Sequence, residues 1–149
     1  MFSVAKGKHA YYATLPAASD ALILVLLKSS GLVADSTMVD YDTLADITGG
    51  ASDECDFTGY ARRTLASVTS TVDDTNNRVD TDAADPSAYT NSGGGSQAAG
   101  AAVVCYDPDT GTGTDADLIP LYKFDCSVTF DVGVATTVAF NSAGMGRAS

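Results

Sequence analysis

Hydrophobic residues fall along this chain in short bursts, and the spacing within each burst predicts strands more often than helices. The strongest burst, Leu22-Ile23-Leu24-Val25-Leu26-Leu27, is apolar at every position. A central strand covered on both faces reads this way, and the run is too short for a buried helix. Further on, Val68 to Asp73 and Arg78 to Ala83 flank Asp74-Thr75-Asn76-Asn77, a turn in which Asn tolerates positive φ. The register of that hairpin places Val72 opposite Val79 and Asp73 opposite Arg78. Val103-Val104-Cys105-Tyr106 predicts another strand, closed by the turn chemistry of Asp107-Pro108-Asp109-Thr110-Gly111. Leu118 to Phe124 predicts one more, at an edge or a bulge because Pro120 has no N–H to offer a ladder. Alternation is cleanest near the end. Cys126, Val128, Phe130 and Val132 point one way and Ser127, Thr129 and Asp131 the other; after Gly133 the period continues through Val134, Thr136, Val138 and Phe140. This pattern predicts a terminal β-hairpin with Phe130 in its buried face.

One short helix stands against these strands. Asp35 or Ser36 can begin a helical stretch, and Asp40 can cap a shorter one in which Tyr41, Leu44 and Ala45 share a face before Gly49-Gly50 stops it. Residues 1–16 show neither period, and their basic and aromatic side chains predict an extended N-terminal arm. Asp85-Pro86 through Ser92-Gly93-Gly94-Gly95-Ser96 reads as a surface loop. The fold class expected is mainly β, a β-sandwich or partly open β-barrel with one short helix. Residues 17–149 form a single domain behind the arm, since 149 residues suit one core.

Charge narrows the functions open to such a fold. The formal net charge is −11, which opposes nucleic-acid binding, because that needs Lys and Arg to displace counterions along phosphates. An anionic membrane surface would repel the chain as well. The apolar run from Ala21 to Leu27 is far shorter than a membrane-spanning helix and too poorly flanked for a signal peptide. Cys55, Cys105 and Cys126 are an odd number without zinc-type spacing. Folding in a reducing cytoplasm follows, with Cys126 a small core residue.

A catalytic inventory comes up nearly empty. His9 is the only histidine and has no nucleophile or carboxylate near it in sequence. Glu54, the only glutamate, lies beside Asp53 and Asp56, neighbours expected by chance in so acidic a chain. Gly93-Gly94-Gly95 matches no phosphate-cradling loop. Asp107, Asp109, Gly111, Asp115 and Asp117 supply hard oxygen ligands, yet Leu118 stands where a calcium loop needs its bidentate Glu. The expectation is a protein that is not an enzyme and has no cofactor and no metal. Its candidate site is a binding one: Lys6, Lys8, His9, Tyr11 and Tyr12, basic and aromatic groups suited to contact with another subunit.

Several stretches then form a set: Ala21-Leu22-Ile23-Leu24-Val25-Leu26-Leu27-Lys28-Ser29-Ser30-Gly31-Leu32, Asp56-Phe57-Thr58-Gly59-Tyr60-Ala61-Arg62-Arg63-Thr64-Leu65, Thr71 to Asp80, Val104 to Thr110, and Leu118-Ile119-Pro120-Leu121. In that order the chain resembles a family of small virion structural proteins of tailed bacteriophages, over most of its length from Leu15 to Phe140. The resemblance implies a capsid decoration or cement protein on the exterior of the virion, assembled in the host cytoplasm. Its implied partners are the major capsid protein and copies of itself, a trimer by analogy. A minor tail or host-recognition protein of the same virion is the alternative. The resemblance brings no catalytic residues with it.

Overall fold

A computed structural model describes residues 1–50, 52–140 and 144–148. In chain order it contains a single 3-10 turn at Ser3–Ala5, then α1 (His9–Ala13), β1 (Ala21–Lys28), α2 (Asp35–Met38) and α3 (Leu44–Gly49). The strands β2 (Arg63–Thr64), β3 (Thr69–Asp73), β4 (Arg78–Asp82), β5 (Tyr89–Thr90), β6 (Gln97–Asp107), β7 (Ile119–Phe130), β8 (Ala135–Thr136) and β9 (Gly146–Ala148) follow. The protein is mainly β, as expected. All strand pairings between these elements are antiparallel, in sheets of order β2-β1-β6-β7, β3-β4-β9 and β5-β8.

The all-apolar run explains why the largest sheet lies in the middle. Alternate side chains of β1 point to opposite faces, and each face has its own core. Leu22, Leu24 and Leu26 meet Phe57, Tyr89, Phe130 and Met145 on one side. Ile23, Val25 and Leu27 meet Phe2, Met38, Leu44 and Ile47 on the other. The short helices α2 and α3 therefore cover one face, and the other carries α1, the aromatic cluster and the side chains that lead to the smaller sheets.

The predicted hairpin holds in register, with Val72 opposite Val79 and Asp73 opposite Arg78, and Asn77 at φ 51°. Pro120 sits where the β6–β7 register shifts, on a strand at the end of its sheet order, so both the edge and the bulge are present. β6 runs further back than expected, through Gln97-Ala98-Ala99-Gly100, where Gly100 lets two backbones approach. A Cβ on Gly100 would stand 2.9 Å from Ser29 Cα.

Three expectations are corrected. The cleanest alternation does not make a terminal hairpin: Cys126 to Phe130 completes β7 against β6, whereas Ala135–Thr136 pairs with Tyr89–Thr90. Phe130 is fully buried, while Val132 and Val134 are exposed. The α-helices among the described residues number three, not one, and α3 is capped by Thr43 rather than Asp40. Thr43 Oγ1 accepts from the Asp46 N–H at 3.2 Å, and the Asp46 carboxylate accepts from the Thr43 N–H at 2.9 Å, a reciprocal capping box. Finally, residues 1–16 are not an extended arm. They fold back, because Phe2, Ala5, His9 and Ala13 are buried and recur at helical spacing.

Candidate partner-binding surface

The N-terminal segment divides its five candidate residues into two groups. The 3-10 turn and α1 lie over the domain, with Phe2 in one core cluster and Ala5 in the other. His9 is 3% exposed and meets the Tyr122 ring edge-on at 6.1 Å. Its Nδ1 has no hydrogen-bond partner among the described residues, and burial lowers its pKa from the ordinary value. Tyr12 packs on Tyr106 at 4.7 Å between ring centroids, and the Tyr106 hydroxyl donates to Asp20 at 2.8 Å. His9 and Tyr12 therefore fasten the segment down. Lys6, Lys8 and Tyr11 remain on the surface, with Tyr11 59% exposed.

The other basic residues explain why Lys6 and Lys8 are distinctive. Lys28 pairs with Asp56, Arg62 with Glu54 and Asp115, Arg78 with Asp73 and Asp80, Lys123 with Asp35 and Asp125, and Arg147 with Asp80. Arg63 lies over the Tyr89 ring, 4.5 Å from its centroid. Among the described residues Lys6 and Lys8 enter no ion pair, and both are exposed.

The candidate chemistry considered in the sequence resolves into structural roles. Glu54 does not join Asp53 and Asp56 in an acid–base pair. It accepts from Tyr60 Oη at 2.8 Å and from Arg62 Nη2 at 2.7 Å, while Arg62 Nη1 donates to Asp115 at 2.6 Å. The two carboxylates drive the Arg62 pKa up, and burial drives the Tyr60 phenol up. Asp109 accepts from the Gly111 N–H and from Thr112, and Asp117 from the Thr114 N–H and hydroxyl. These carboxylates close their own turns, and no group of three or more His, Cys, Asp or Glu side chains poised for a metal occurs among the described residues. Gly93 to Gly95 wrap around Asn91, whose amide donates to the carbonyls of Gly95 and Phe130 at 2.8 and 2.9 Å. All three thiols are free. Burial pushes Cys55 up to about 12 and raises Cys105 and Cys126, which disfavours the reactive thiolate. Cys126 is half-buried against the core rather than fully inside it.

Sequence reasoning overlooked a second surface feature. An open groove of about 360 Å³ lies between the amino terminus, α2 and β7, lined by Phe2, Met38, Val39, Asp35, Lys123 and Asp125 among others. Its residues are scattered in sequence and converge only through the fold; the alternation that marked β7 as a strand was the one available signal. No helix among the described residues is long and apolar enough to cross a membrane. Comparison with protein-family models, curated proteins and solved structures finds no match to this chain.

Proposed function

We propose that this protein is a capsid decoration or cement protein of a tailed bacteriophage, held on the outer face of the major capsid shell through its folded N-terminal segment. The observation that carries this reading is the set Lys6, Lys8 and Tyr11. In a chain of net charge −11, two exposed cations that enter no ion pair among the described residues share with the exposed Tyr11 a segment held down by His9 and Tyr12. An aromatic ring supplies contact area at low entropic cost, and unpaired cations steer it toward an acidic patch. The family resemblance supports a particle-bound role, and self-association on the shell, as a trimer by analogy, accompanies it.

The variant Lys6→Glu/Lys8→Glu/Tyr11→Ala tests this without removing buried atoms. Mixed with undecorated phage heads, it should fold as the parent does and fail to co-sediment with them, while the parent binds near the stoichiometry of the major capsid protein. Full occupancy by the variant overturns the role of this surface. A few copies of the parent per virion would point to the tail instead.

A further inference from the structure

We propose that the outer edge of β7, from Lys123 to Thr129, is a strand-addition site for an extended segment of a partner protein bearing Lys or Arg. This edge shares no residue with the Lys6, Lys8 and Tyr11 set, so its occupancy does not depend on the capsid reading.

β7 is the longest strand, 12 residues, and it pairs along one side only, with β6. Its other side carries one backbone hydrogen bond among the described residues: the Phe2 N–H donates to the Leu121 carbonyl at 3.1 Å. Phe2 is in extended conformation, φ −71° and ψ 149°, so a single extended residue of the chain touches this edge before the 3-10 turn at Ser3–Ala5 carries the backbone away. Main-chain groups alternate in direction along a strand, so those of Lys123 and Asp125 continue the row that Leu121 opens. Past Leu121 that row has no backbone partner among the described residues.

The groove of about 360 Å³ adjoins this open stretch. Its floor is apolar, with the buried Phe2 and Met38, and gives an incoming strand a seat for a side chain on one face. Its rim is acidic. Asp35 and Asp125 flank Lys123, whose side chain is only 11% exposed, whereas theirs are 71% and 79% exposed. Two carboxylates around one largely covered ammonium leave negative charge facing outward. The same rim opposes a second copy of this chain, which is itself strongly acidic and would set Asp125 near its equivalent; charged side chains on sheet edges commonly block such self-pairing. A basic extended segment satisfies both the open ladder and the rim, with main-chain bonds for affinity and alternate side chains for selectivity. The other edge strands lack this combination: β3 has 5 residues, β9 has 3, and β2, β5 and β8 have 2 each.

The test uses the intact protein and an acetylated, amidated peptide of about nine residues, one strand in length, alternating lysine and valine. Controls carry glutamate for lysine, or N-methyl groups on every second backbone nitrogen. The lysine peptide should bind and slow hydrogen exchange at the Lys123 and Asp125 amides, and both controls should bind at least about tenfold more weakly. Asp35→Asn with Asp125→Asn should weaken the lysine peptide about fivefold while the melting temperature holds. Equal binding of the methylated peptide, or protection mapped to another surface, overturns the proposal without recourse to any variant. So does dimerisation of the protein alone that Asp125→Pro abolishes, since the edge would then belong to a second copy.

Discussion

Burial decides what individual residues do here, and the decision differs between chemically similar groups. Phe130 lies at zero exposure between Phe57, stacked at 4.7 Å, and Tyr89, edge-on at 5.6 Å. Phe130→Ala should cost about 3–5 kcal/mol, because rings fixed by several neighbours collapse poorly into the space left. Chemical denaturation checks this, and an unchanged midpoint would remove Phe130 from the core. His9 gives a prediction about pH. Its folded pKa is lowered from 6.5, so the unfolded chain takes up the proton first as pH falls. Stability from neutral His9 is thus complete above 6.5 and declines as pH drops through that value toward the folded pKa. Asp46, Asp80 and Asp115, whose pKa values are lowered by their hydrogen-bond partners, lose their contribution only in the acid range below their ordinary 3.8. A melting temperature that falls between pH 7.5 and pH 5, and does so less in His9→Gln, is the expected result. Alternation alone located Phe130, since that period is a local property. That His9 is buried could not be read, because the basic residues beside it masked a helical spacing of Phe2, Ala5, His9 and Ala13.

At the scale of elements, side-chain clamps tie together pieces that lie far apart in the chain. Arg62, one residue before β2, grips Glu54 and Asp115 with two nitrogens toward each. Asp115 in turn offers its carbonyl to the N–H of Ala45 in α3, at 3.0 Å. Arg62→Met should therefore loosen α3 as well as the loop after β6. A cost of about 1–3 kcal/mol is expected for charge-assisted bonds in a part-buried setting, together with faster exchange of the α3 amides. A stability loss with α3 exchange unchanged would confine the clamp to its own loop. Gly146 sets a second joint, since a Cβ there would stand 2.3 Å from the Tyr122 ring. Gly146→Ala should detach β9 from that ring, with hydrogen exchange quickening at the β9 amides and unchanged at those of β1 and β6. The hairpin of β3 and β4 was readable because turn and register are neighbours in sequence. The route of residues 131–140 was not, because its partner, Tyr89–Thr90, is a two-residue strand without a periodic signal. Ala and Gly hid the start of β6 for the opposite reason: they are there to make room, and small residues carry little strand propensity.

For the whole molecule, net charge acts with opposite signs on folding and on docking. A formal charge of −11 repels itself across a small domain, so screening should raise thermal stability as salt increases. The attachment proposed for Lys6 and Lys8 would be an attraction between exposed charges and should weaken under the same screening. Part of this was legible in composition alone, since acidity already opposed nucleic acid as a partner. What composition could not reveal is that the intramolecular ion pairs absorb other cations and leave these two facing outward, which depends on carboxylates brought from distant positions, as Asp115 is to Arg62. Raising salt from about 0.05 M to 0.5 M, where the screening length shrinks from roughly 14 Å to 4 Å, should lift the melting temperature while lowering occupancy on phage heads. In Lys6→Glu/Lys8→Glu, the melting response should persist, and the residual occupancy should no longer fall with salt. Parent binding that is indifferent to salt would mean that Tyr11 and shape complementarity carry the attachment, with the two lysines as bystanders.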